Sequence, residues 1–98
     1  MIVLKTNREL ALMREACIIS AGALKLAGEA VEPGVTTAEI DKIAYDYIIK
    51  CGAKPNFLNY NGYPATACIS INDEVIHGIP SKKRVIEEGD IVSIDLGA

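Results

Sequence analysis

Several features are scarce in this sequence, and each scarcity removes a class of protein. Positive charge is not in excess: 10 lysines and arginines face 13 aspartates and glutamates, a formal net charge of −3. A module that grips nucleic acid by bulk charge needs the opposite balance, so no direct nucleic-acid partner is expected. Cysteine occurs three times, at Cys17, Cys51 and Cys68, an odd and widely spaced set with no C-x-x-C pair. That pattern argues against a disulfide framework or structural zinc site and for a reducing, cytoplasmic setting. No apolar run approaches the length of about 18 residues that a membrane-spanning helix requires. Met1 to Arg8 lacks a basic stretch followed by an apolar one, so no secretory signal is expected. Repeats, low-complexity tracts and interdomain linkers are also missing.

What is present is a globular composition: 98 residues, half of them hydrophobic. That length matches one domain able to bury roughly two-thirds of its unfolded surface. Thr6-Asn7-Arg8-Glu9 fits a capping box, in which a hydroxyl and a carboxylate satisfy free backbone N–H groups at a helix start. Apolar residues then recur at Leu10, Met13, Cys17, Ala21, Leu24 and Ala27, which predicts an amphipathic helix over residues 7–30. Pro33-Gly34 breaks it. Thr36-Thr37-Ala38-Glu39 is a second capping box, with Ile40, Ile43, Ala44, Tyr47, Ile48 and Cys51 as the apolar face. Gly52 supplies a left-handed stop and Pro55 prevents resumption.

The texture then changes. Asn56 to Pro64 reads as loop, and it holds Phe57, Tyr60 and Tyr63, three of the chain's five aromatics. Such a loop either lines an apolar pocket or lids the core of the helices. Thr66 to Ile71 is a strand with Ala67, Ile69 and Ile71 on one side and Cys68 and Ser70 on the other. Asn72-Asp73 interrupts it, with Glu74 to His77 as a continuation beyond a kink. Ser81-Lys82-Lys83-Arg84 is a polar excursion, read as a solvated turn. Glu88-Gly89-Asp90 turns into a final strand from Ile91, with Val92, Ile94 and Leu96 facing one way and Ile91, Ser93 and Asp95 the other. Helices first and strands afterwards predict an α+β fold, helices packed on one face of an antiparallel sheet.

Two residues invite chemistry. Asp95 lies between Ile94 and Leu96, a costly place for an unpaired carboxylate if it is buried. It is either a solvent-facing strand residue or a hard-metal ligand or general base. His77 is the only histidine, and Gly78-Ile79-Pro80 stiffens the backbone after it. It is either a hydrogen-bonded structural residue or a proton donor in a cleft. No second histidine and no nearby serine or cysteine supports a nucleophilic triad.

Three runs, taken in order, are more specific. Tyr60-Asn61-Gly62-Tyr63-Pro64 resembles the substrate-pocket loop of type I methionine aminopeptidases. The segment from Cys68 through Ile71-Asn72-Asp73-Glu74 to His77-Gly78-Ile79-Pro80 resembles that family's strand and histidine segment. Gly89-Asp90-Ile91-Val92-Ser93-Ile94-Asp95 resembles its first metal-ligand strand, and the separation of 18 between His77 and Asp95 matches. Met13-Arg14-Glu15-Ala16 and the Pro33-to-Thr37 turn are similar too, so the resemblance covers essentially the whole chain.

The resemblance implies the first half of a pita-bread fold, two helices followed by antiparallel strands. Residues 1–98 would be the N-terminal part of a single catalytic domain, cut after the first metal-ligand strand. It implies Asp95 as a ligand of a pair of divalent metal ions (Co, Mn, Fe or Zn) and His77 as the histidine that contacts substrate and assists catalysis. Phe57, Tyr60, Tyr63 and Cys68 would line the pocket for the N-terminal methionine, although Phe57 departs from the smaller residue of some members. Asn72 and Glu74 would offer backbone carbonyls to a monovalent cation. The implied activity is hydrolytic removal of methionine from nascent polypeptides, with the ribosome exit region as a partner. The family's second Asp, its His and its two Glu fall beyond Ala98, so these residues alone are expected to be inactive, with an exposed strand edge prone to self-association. The alternatives are a non-catalytic pita-bread relative acting as a binding or ribosome-associated protein, and a related pita-bread dipeptidase cleaving before proline.

Overall fold

Thr6 caps the first helix. Its hydroxyl accepts from Glu9 N–H at 3.1 Å while its own N–H donates to Glu9 Oε1 at 3.2 Å, so the capping box forms in full. In a computed structural model describing residues 4–74 and 78–98, helix α1 spans Asn7–Glu29 and helix α2 spans Thr37–Lys50. Thr36 caps α2 by accepting from Glu39 N–H at 3.2 Å. The expected box is only half present here. The backbone around this cap instead pairs with residues 84–86: Gly34 N–H donates to Ile86 O at 2.7 Å and Thr37 N–H to Arg84 O at 2.9 Å. Gly34 makes the turn with a φ of 94°, and Gly52 follows α2 with a φ of 79°, conformations open to glycine without a Cβ penalty.

The predicted apolar face of α2 largely holds, with Ile40, Ala44 and Ile48 fully buried, but Ile43 and Cys51 are exposed. The predicted stripe of α1 does not hold. Of its members only Ala27 is buried, while Leu10, Met13 and Leu24 remain 48%, 46% and 44% exposed. The face that packs is made of small residues, with Ala23 and Ala27 fully buried and Ala16 and Ser20 half-buried. Small side chains on one helix leave room for larger ones from its partner, since the side chains at the contact set the separation of a helix pair. A Cβ added at Gly22 would overlap the Tyr47 hydroxyl of α2.

Strands β1 (Ala67–Ile71) and β2 (Val92–Leu96) pair antiparallel, Ala67 opposite Leu96 through to Ile71 opposite Val92. Ala67, Ile69 and Ile71 join Ala27, Ile40, Ala44 and Ile86 in the core, with Val92, Ile94 and Leu96 packed against it. The alternation read from the sequence is therefore correct on both strands, and the helices cover one face of the sheet. β1 ends just before Asn72, which takes a left-handed φ of 54°. Its side chain joins the two strands at that end, accepting from Ile91 N–H at 2.9 Å and donating to Asp90 Oδ1 at 3.0 Å. Among the described residues no third strand pairs with the sheet. The expected continuation through Glu74 to His77 falls largely on residues 75–77, which lie outside the described residues.

Candidate functional site

The second face of the sheet carries the polar alternates. Cys68 and Asp95 are register partners, as are Ser70 and Ser93, and side chains directly opposite in an antiparallel pair share a face. Their surroundings differ. Cys68 and Ser70 are buried, whereas Ser93 and Asp95 are exposed. The difference comes from two segments that pack against β1 and not β2, one of them along the free edge of β1. Gly78 is one: its carbonyl accepts from Ile69 N–H at 2.7 Å and its N–H donates to Ser70 Oγ at 3.1 Å. A Cβ there would overlap the Ile69 carbonyl, so this approach requires glycine.

The aromatic loop is the other. Asn59, Asn61 and Gly62 take left-handed φ values of 65°, 50° and 79° around a 3-10 turn at Tyr60–Gly62. Asparagine and glycine are the residues that adopt this conformation most readily. The turn brings Phe57 and Tyr63 edge to face, with ring centroids 6.2 Å apart at 75°. The Tyr63 hydroxyl donates to Ala67 O at 2.8 Å and lies 3.4 Å from Gly78 O. Burial first, then the hydrogen bond and charge of Cys68, then the charges of Asp41 and Asp95, push this phenol above its usual range. It therefore serves as a neutral donor at physiological pH.

Between loop and sheet lies an open cleft of about 580 Å³, lined by Phe57, Tyr60, Tyr63, Cys68, Ile79 and Asp95 and by loop residues 61, 62 and 64. Its size suits a small ligand. Phe57, Tyr60, Tyr63, Cys68 and Asp95, five residues singled out from the sequence, thus meet at one cavity. His77 lies outside the described residues. Asn72 and Glu74 sit away from the cleft lining. Glu74 Oε1 accepts from Ile71 N–H at 3.0 Å and pairs with Arg84 at 2.7 Å.

Two contributors escaped the sequence reading. Ile79 lines the cleft, and its place in the His-Gly-Ile-Pro run was the only signal for it. Asp41, on α2, accepts from Ala67 N–H at 2.7 Å. Burial raises its pKa above the ordinary carboxylate value, against the opposing pull of the Ala67 and Thr66 N–H groups. Nothing in its sequence neighbourhood separates it from an exposed helix carboxylate.

As a metal donor, Asp95 has suitable chemistry, a hard oxygen ligand on a rigid strand and open to the cleft. Among the described residues no three of His, Cys, Asp and Glu cluster in a way that could hold an ion. These side chains fit one position of a metal centre and do not complete one.

The family model described as metallopeptidase family M24 matches residues 11–98. The methionine aminopeptidase of Clostridium acetobutylicum is 52% identical over 98 residues, all of this chain and 39% of that protein. Methionine aminopeptidase 1 of Bacillus subtilis is 48% identical over the same span, again 39% of its length. The crystal structure of the Thermotoga maritima methionine aminopeptidase superposes with a TM-score of 0.95 at 38% identity, covering 98% of this chain and 39% of that one. The Rickettsia prowazekii enzyme gives 0.91 at 38% identity, covering 98% and 38%. The chain thus spans about two-fifths of the length of the curated relatives it matches.

Proposed function

The chain belongs to metallopeptidase family M24, and on that premise we propose that its residues build one wall of a methionine aminopeptidase active site. The observation that carries this reading is the cross-strand pair of Cys68 and Asp95, which sets a carboxylate at the edge of an aromatic cleft of about 580 Å³. Phe57, Tyr60, Tyr63 and Cys68 receive the methionine side chain. A flexible thioether gains from contact with aromatic edges and a polarizable sulfur.

Asp95 serves as one ligand of a pair of divalent ions drawn from Co, Mn, Fe and Zn, whose affinities overlap so that availability decides. When bound, such ions supply an activated water and polarise the scissile carbonyl. His77 contacts the substrate beside the scissile bond. The carbonyls of Asn72 and Glu74 hold a monovalent cation. The substrate is the N-terminal methionine of nascent polypeptides, met in the cytoplasm at the ribosome exit region.

The test is methionine release from the tripeptide Met-Gly-Met by the full-length polypeptide that carries these residues. Release is expected to stop with a chelator and to return with a divalent ion. Asp95→Asn should lower it about 100-fold or more, and His77→Ala should cut turnover while bound metal is retained. Residues 1–98 by themselves are expected to release none. Release indifferent to chelation, or undiminished in Asp95→Asn, would overturn the reading. Peptide binding without release would favour a non-catalytic relative.

A further inference from the structure

Ala67, the first residue of β1, has both of its main-chain groups taken by side chains. Its N–H donates to Asp41 Oδ1 of α2 at 2.7 Å, and its carbonyl accepts from the Tyr63 hydroxyl at 2.8 Å. One residue therefore joins the second helix to the aromatic loop. The chain of contacts continues through Gly78, whose carbonyl lies 3.4 Å from the same hydroxyl and whose N–H donates to buried Ser70. Asp41 differs from the other acidic residues of its helix, of which Glu39 is exposed. Asp46 pairs with Lys42 at 2.7 Å in solvent, whereas Asp41 is half-buried and spends its carboxylate on the β1 backbone. Charge taken out of water is costly unless hydrogen-bonded, and here the compensating donor is the strand that floors the cleft.

We propose that Asp41 is a positioning residue for the cleft: by holding the Ala67 main chain it fixes the acceptor for Tyr63, and so sets the aromatic wall against which the substrate side chain packs. The inference rests on the reading of this cleft as the methionine pocket. Asp41 touches no substrate. Its effect belongs to affinity for the side chain and not to bond cleavage, so it should appear in KM with little change in kcat.

The experiment measures KM and kcat for Met-Gly-Met in the full-length polypeptide with Asp41→Ala, Asp41→Asn, Tyr63→Phe, the Asp41→Ala/Tyr63→Phe pair and Asp46→Ala. Asp41→Ala should raise KM about 10-fold with kcat within about 2-fold. Asp41→Asn, which keeps an acceptor oxygen, should recover KM to within about 3-fold of the parent. The double variant should be no worse than the worse single one, the non-additivity expected of residues sharing a partner. Asp46→Ala should match the parent. An unchanged KM in Asp41→Ala, multiplicative effects in the pair, or an equal shift in Asp46→Ala would overturn the proposal.

Amide exchange without substrate keeps the two readings apart. Asp41→Ala and Tyr63→Phe should each speed exchange across residues 57–64 and at Ala67, and Asp46→Ala should not. If the parent releases no methionine, the functional reading fails and the exchange result alone decides the network. Asp41→Ser replaces Asp41→Ala should the latter not fold.

Discussion

Gly78 packs against β1 so closely that its missing side chain is a structural requirement. A Cβ there would meet the Ile69 carbonyl, which is backbone and cannot swing aside. Gly78→Ala is therefore expected to cost about 1–3 kcal/mol, the range for overpacking a filled site, read as a lowered urea midpoint. It should also open the cleft, because the same residue anchors Ser70 and lies beside the Tyr63 hydroxyl. Gly28 is a control: a Cβ there meets nothing within 4 Å, and as a helix glycine its replacement by alanine should stabilise by about 0.5–1 kcal/mol. Equal effects at both positions would refute the close-approach argument.

At the scale of elements, the helix pair depends on small residues where the sequence offered larger ones. Ala23 on α1 is fully buried, and Leu24 beside it is 44% exposed. Ala23→Leu should destabilise by about 1–3 kcal/mol by overfilling a packed site, while Leu24→Ala should stay within about 1 kcal/mol in thermal unfolding. The reverse order would restore the stripe of Leu10, Met13 and Leu24 as the packing face. Both caps lie where the sequence put them, because a cap needs only neighbours within three residues. The reciprocal half of the second box does not form, and the flanking backbone is engaged with residues 84–86, a partner far along the chain.

For the whole molecule, the sheet separates two environments, a helix-covered core and a cleft, and its titrating groups respond to pH in opposite senses. Glu74 is held below its ordinary 4.5 chiefly by Ile71 N–H and then by Arg84, and Asp90 below 3.8 chiefly by Glu87 N–H and then by Asn72. The stability they lend is present above those ordinary values and lost as pH falls through the lowered ones. Asp41 runs the other way. Its value is raised from 3.8, so its contribution is full below 3.8 and lost as pH rises through the raised value. Urea midpoints across this range should show Asp41→Asn gaining on the parent as pH rises, and Glu74→Gln losing to it. Parallel curves for the parent and both variants would contradict these assignments.

Much of this protein is determined by residues that act on their near neighbours. Helix starts follow from Thr6 and Thr36, the strand faces from strict alternation, and the aromatic loop from asparagines and glycines suited to left-handed turns. The resemblance also pointed to five residues that line one cleft. Only the tertiary structure decided which side of α1 faces inward, because overlapping apolar periods on one helix are separated by how near its partner comes. It alone drew Asp41 into the support of β1, since a carboxylate on a helix reads the same in sequence whether it faces water or a strand 26 residues away. It alone distinguished buried Cys68 from exposed Asp95 on a shared face, because that depends on how the segments flanking β1 fold back against it and leave β2 open.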